Sequence, residues 1–343
     1  MASANALRWN GRPGHYEVYY LTITDPGTGV GIWIRYTMLA PLAPAGDDAG
    51  HSEATCSLWF LAMDPRPDRA ATLARKATYG IERLEATREP FSLMIAGATL
   101  TDEGMAGSFE DVSWELRWKP AARPYEPVNP FLQRLGVAKT VLVLPHAHVP
   151  VEGVITLPSG ESLELAGTCG GQAHLWGSKH ASSWAWVHCN DFTTEQGQPV
   201  DAFIDGVSAI VPRLGREVGP NTPVVARIDG AEFRSTSPLR ILRNHSSFGL
   251  EGWRFEATDG ALRVVGEVAP VRDQLAGVTY HDPDGQLAYC YNTETASMRL
   301  EVQERSSGRA SGWSTLRTLT SSGRTHYEVG QRQPAAGLEL LTT

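Results

Sequence analysis

The 343-residue chain lacks any run of 18 uninterrupted apolar residues, which excludes a membrane-spanning helix. It also lacks a basic excess. Thirty Lys and Arg stand against 38 Asp and Glu, a net charge of −8. That balance argues against a nucleic-acid binder and against docking on an anionic membrane. Cysteine is scarce. Cys56, Cys169, Cys189 and Cys290 lie far apart with no CxxC pair, so neither a disulfide framework nor a zinc ribbon is expected. The opening residues show no basic stretch followed by an apolar one, so no signal peptide is expected and a cytoplasmic location is the default. No GxSxG elbow and no GxxxxGK[ST] loop occurs. GTGVG (27–31) and GTCGG (167–171) each have strand-like sequence on both sides. Without a helix N-terminus to meet a phosphate they read as turns, and no cofactor is expected.

Aromatic residues are plentiful: ten Trp, ten Tyr and nine Phe supply large apolar surfaces for a core. Thirty-four Gly and 22 Pro punctuate the chain and favour many short elements. The dominant period is two. YEVYYLTIT (16–24) and VGIWIRYTM (30–38) flank a turn-forming DPGTG, and strand-like runs of this kind recur to THYEVG (325–330). Leu239–Arg243 reads as one of them. Two helices are expected to interrupt, one at 69–79 capped by Asp68 and one at 130–135 opened by Asn129-Pro130. About twenty short strands imply an all-β fold of two antiparallel barrels packed together. We place the division at 1–180 and 181–343, in the polar stretch around 178–183.

The informative block is GGQAHLWGSKHASSWAWVHCNDF (170–192). His174 and Trp176 share one strand face, and Trp184, Trp186 and His188 share another. If both strands lie in one sheet, three Trp and two His form a wall. Downstream, Asp201, Phe203 and Asp205 share a face inside an apolar strand. A lone buried carboxylate is costly, so Asp205 either meets solvent or holds its proton more tightly than usual. The bland alternative is an aromatic core with Asp205 at an Asp-Gly turn. His146 and His148 also share an extended face, but a metal site needs a further ligand, and no metal is expected.

The order G…H-x-W-G…W-x-W…[aromatic]-x-D resembles the carotenoid 1,2-hydratase (hydroxyneurosporene synthase) family and its AttH-like and tocopherol-cyclase-like relatives. RWNGRPGHYEVYYLTITDPGTGVGIWIRY at the start and GWSTLRTLTSSGRTHYEVGQR (312–332) near the end look like the first barrel and the tail of such proteins. The resemblance implies paired lipocalin-like barrels and chemistry at H-x-W and at a downstream Y-x-D. H-x-W matches His174 and Trp176, and Y-x-D best matches Phe203-Ile204-Asp205, with Phe in place of Tyr. Ala173 also stands where the hydratases tend to carry Asp.

Two functions follow as expectations. In the first, protonated Asp205 donates to a C=C bond of an isoprenoid- or polyketide-like substrate. His174 orients the acid or water, and Trp176, Trp184, Trp186, His188 and Phe203 line the site. In the second, the barrels merely carry a small hydrophobic metabolite. The placement of Asp205 discriminates between them: a buried carboxylate beside His174 favours the enzyme, a solvent-facing one the carrier. The oligomeric state is left open.

Overall fold

The computed structural model describes residues 3–42, 54–67, 72–128, 138–213, 215–305 and 312–342. Strands hold 67% of residues and helices 3%, so the fold is all-β. The first sheet begins with β1 (His15–Thr24), β2 (Gly31–Ala40), β3 (Thr55–Met63) and β4 (Thr72–Gly80). Next come β5 (Leu84–Arg88), β6 (Phe91–Ile95), β7 (Ala98–Thr101), β8 (Gly104–Phe109) and β9 (Val112–Trp118). It ends with β10 (Thr140–Thr156) and β11 (Ser162–Gly177). Its order is β4-β3-β2-β1-β11-β10-β9-β8-β7-β6-β5, an antiparallel meander curled until β4 and β5 flank a short turn.

Pairing passes to a second sheet after Gly177. It opens with β12 (Ser183–Cys189), β13 (Phe192–Thr194), β14 (Pro199–Val200), β15 (Ala202–Arg213) and β16 (Arg216–Asn221). β17 (Val224–Ile228), β18 (Ala231–Ser235), β19 (His245–Gly249), β20 (Gly252–Asp259) and β21 (Leu262–Ala269) follow. β22 (Ala276–His281), β23 (Leu287–Arg305), β24 (Trp313–Gln331) and β25 (Leu340–Thr342) complete it. The path runs β18-β17-β15-β12-β24-β23-β21-β20-β19, and β18 and β20 come together across the gap. A Ser208–Ser246 hydroxyl pair at 2.8 Å ties β15 to β19.

Each curled sheet is filled by its own side chains. Alternation in β9 turns Val112, Trp114, Leu116 and Trp118 inward, where they meet Tyr36 and Phe60. Phe192, Trp253, Phe255 and Tyr327 do the same in the second sheet. Each such side chain contributes about 1.5–3 kcal/mol by leaving water.

Some strands are buried on both faces. Tyr19, Leu21 and Ile23 of β1 point into the first core, while Tyr16, Val18 and Tyr20 press on the second sheet. In β12, Ala185, Val187 and Cys189 point inward, and Trp184, Trp186 and His188 face the first sheet. The shared face is thus made of outer faces, and the aromatic-rich strands lack polar alternation because they have no solvent side.

Two expected elements are corrected. Residues 72–79, expected to be helical, form β4 and pair with β3 along its whole length. Leu239–Arg243, expected as a strand, begins instead in a one-turn helix, Pro238–Ile241, with Pro at its first position. The helix expected at 130–135 lies outside the described residues.

Candidate functional site

The residues singled out from sequence do not form one wall. His174 and Trp176 sit on β11 of the first sheet, and Trp184, Trp186 and His188 sit on β12 of the second. Asp205 does not meet His174. On β15 it pairs directly opposite His188, and its Oδ2 accepts from His188 Nδ1 and from Trp186 Nε1, each at 3.1 Å. Asp205 is 0% exposed. Its Oδ1 and His188 Nε2 are buried without a hydrogen-bond partner. Burial pushes the Asp205 carboxyl above its ordinary range, against the opposing pull of His188 and Trp186.

Close approach of the sheets requires glycine opposite these groups. A Cβ on Gly171 would lie 2.3 Å from His188 Nε2, and one on Gly31 would lie 2.5 Å from Glu294 Cβ. Only a residue without a side chain fits at either point.

A second carboxylate–imidazole pair lies alongside. His326 of β24 is opposite His188, and the two rings stack with centroids 6.3 Å apart. His326 Nδ1 is 2.5 Å from Glu294 Oε2, and burial raises the Glu294 carboxyl as well. Glu328, opposite Trp186, accepts from Trp184 Nε1 at 2.5 Å and from Tyr280 Oη at 3.2 Å. From the first sheet Tyr20 sets its ring edge-on to Trp186 at 5.3 Å. Phe203 packs against Tyr125 and His148 at the other end of the face.

His174 belongs to a different arrangement. Its Nε2 lies 2.8 Å from Glu17 Oε1 and its Nδ1 lies 2.9 Å from the Ala4 carbonyl. Glu17 also accepts from the backbone N–H of Arg8 and Trp9, from Tyr19 Oη and from His15. Burial, the largest single influence, raises its carboxyl, but the bonds from His15, His174 and the Arg8 N–H together with the His174 charge outweigh it and hold the carboxyl well below the usual range. Trp176 packs at a tilt against His174 and carries the Arg8 guanidinium at 5.0 Å. This cluster straps residues 4–9 onto the first sheet.

His146 and His148 part company at irregularities in the β10–β11 pairing. His146 accepts from the Ala121 N–H, and burial lowers its ring to about 4. His148 approaches Cys169 at 3.8 Å and Asp201 at 3.3 Å. No cluster of three metal-ligating groups occurs among the described residues.

Sequence reading missed Glu17, Arg35, Glu294, His326 and Glu328. Glu17 and Arg35 carry the signal that exposed Asp205, an ionisable residue within an otherwise apolar strand, whereas Glu294, His326 and Glu328 sit in polar stretches of β23 and β24 and carry none.

No family model matches the chain. It is 29% identical over 340 residues to uncharacterized proteins from two strains of Mycobacterium tuberculosis, covering 97% of this chain and 92% of each relative. A crystal structure at 2.00 Å resolution, provisionally assigned as an AttH from Nitrosomonas europaea, superposes with a TM-score of 0.54. That alignment covers 96% of this chain and 98% of the other, at 11% identity. The chain therefore has the fold of that protein.

Proposed function

We propose that the chain is an acid–base enzyme that protonates a C=C bond of an apolar, isoprenoid- or polyketide-like substrate. The reading treats residues 1–180 and 181–343 as two units whose shared face holds the site. One observation carries it: a fully buried carboxyl, Asp205, has one oxygen held by two donors and the other without a partner. With Oδ2 accepting twice, the proton of the neutral acid sits on Oδ1 and is free to be given away. Burial raises its proton affinity, which favours the acid form.

His188, not His174, partners the acid. Its Nδ1–H points at Asp205, which leaves Nε2 as the bare, proton-accepting nitrogen. An acid and a base side by side can give a proton to one carbon and remove one from a neighbour, which is isomerisation. They can equally activate water for hydration, or let an internal group capture the cation and close a ring. The Trp186 face, with Trp184 on the same strand face, would stabilise a carbocation by about 2 kcal/mol when water is excluded. Trp176 lies on the other face of the first sheet, opposite Glu17, and does not join them. The interiors of both sheets are lined by large buried apolar side chains among the described residues, which counts against the carrier reading.

Infrared difference spectroscopy between the wild type and Asp205→Asn tests the assignment. At pH 7 the difference should contain a protonated carboxyl stretch. A carboxylate stretch in its place would remove Asp205 as the donor.

A further inference from the structure

A row of side chains crosses the first sheet on the face turned toward the second. Tyr20, Arg35, Trp59 and Lys76 are directly opposite one another on β1, β2, β3 and β4. Arg35 is the unusual member, being 5% exposed. Its guanidinium lies 4.3 Å from the Tyr280 ring centroid, 5.0 Å from that of Trp33 and 5.6 Å from that of Trp59. Its Nε has no hydrogen-bond partner. Glu328, which shares the Tyr280 ring with Arg35, accepts from Trp184 and Tyr280. Among the described residues no carboxylate forms an ion pair with Arg35.

A buried cation without an acceptor is costly, and ring faces offset only part of that cost. The planar fork of a guanidinium suits a carboxylate or phosphate bound through two oxygens. The row also leads outward. Lys76 lies with its Nζ 4.4 Å from the Trp59 centroid and lines a solvent-open cleft of about 620 Å³ beside Leu341 and Thr342. Inward, Tyr20 touches Trp186, which holds Asp205.

We propose that Arg35 binds an oxyanion, a carboxylate or phosphate carried on an apolar body, which approaches past Lys76. The aromatic rings take the adjoining apolar part. This deepens the proposed function and rests on its placement of the substrate at the shared face: the substrate becomes an anionic amphiphile, anchored at Arg35 and reacting near Asp205.

Calorimetric titration of the full chain with dodecanoate, dodecyl phosphate, dodecanol and inorganic phosphate tests it. One equivalent of dodecanoate or dodecyl phosphate should bind at least tenfold more tightly than dodecanol, and the stronger of the two identifies the headgroup. Inorganic phosphate should bind more weakly than either. Arg35→Gln should weaken binding roughly 100-fold, the usual loss when one partner of a buried charge pair is removed. Arg35→Lys should recover part of it. Equal binding of dodecanol, binding of inorganic phosphate as tight as that of the amphiphiles, no binding by either amphiphile, or unchanged binding in Arg35→Gln overturns the proposal. If the Gln variant does not fold, the wild-type ranking decides. Asp205→Asn should bind dodecanoate like the wild type. If that variant also keeps full turnover, the proton-donor reading falls and the anion site stands.

Discussion

The chain buries two carboxylate–histidine pairs that differ in almost everything except residue type. Glu17–His174 lies where the N-terminal segment meets the first sheet, and Asp205–His188 lies between the sheets. Glu17 takes bonds from five donors spread over both oxygens. Asp205 takes two, both on Oδ2, and its other oxygen has none. The first carboxyl is therefore held as an anion and the second is pushed toward its neutral form. Titratable groups driven in opposite directions mark the acid and base roles at active sites. On the function proposed here they separate a structural clamp from a proton donor. Satisfaction of lone pairs, rather than burial, decides which is which.

The sharpest way to break the comparison is kinetic. Asp205→Asn should slow turnover of an identified substrate by roughly 10²–10⁴-fold, the share of a general acid. His174→Ala should leave kcat close to that of the wild type once the protein is folded. A loss at His174 as large as that at Asp205 would mean that the clamp takes part in chemistry after all.

The next effect is on stability. Glu17→Gln leaves five donors facing a neutral amide, and breaking a buried pair in this way costs about 3–5 kcal/mol. Urea unfolding at pH 7 measures it. The sign with pH follows from the lowered carboxyl. Between the folded value and the unfolded value of about 4.3, the unfolded chain binds the proton and the native one does not. The clamp's contribution is thus fully present above that window and fades as pH falls through it. Wild type and Glu17→Gln should converge in acid.

A smaller effect tests the shared face itself. Gly171→Ala would place a methyl group 2.3 Å from His188 Nε2, so the ring must move. Overpacking of this kind costs about 1–3 kcal/mol. It should also lower turnover, while the strap of residues 4–9 keeps its protection from amide exchange. Normal kinetics in Gly171→Ala would show that His188 need not hold its position.

Much of the fold was legible because aromatic and β-branched runs with period two admit few alternatives. What failed, failed for non-local reasons. Residues 72–79 have helix-compatible composition, yet β3 offers nine consecutive partners, and pairing overrides propensity. Pro145 and Pro150 would normally break a strand, but both lie within a single β10, Pro145 at a pairing irregularity and Pro150 between two others. Asp205 stood out as a carboxyl in an apolar strand, whereas its partner did not. His174 and His188 occupy similar local patterns, and only the passage from one sheet to the other between Gly177 and Ser183 separates them. Strand alternation tells which residues share a face. It does not tell which other strand that face will meet.

The smallest expected effect contrasts the two pairs most directly, because the same kind of substitution should act with opposite sign. Asp205 has a raised proton affinity in the folded state. Above the unfolded value of about 3.9, the unfolded chain releases the proton while the native chain keeps it, so stability falls as pH rises. Below that value both states are protonated and the burden is absent. Asn carries no such burden and retains an oxygen to accept from Trp186 and His188. Where the carboxyl is neutral, Asn in its place breaks no ion pair and removes the cost of burying an ionisable group. Asp205→Asn should therefore match the wild type near pH 4 and exceed it by roughly 1 kcal/mol near pH 8, a shift of a few degrees in Tm. Glu17→Gln should show the reverse, its deficit growing as pH rises towards about 4.3 and staying constant above it. Melting curves of both variants from strong acid to pH 8 decide the matter. If Asp205→Asn loses stability as pH rises, its carboxyl is an anion in the native state, and the two pairs are the same device used twice.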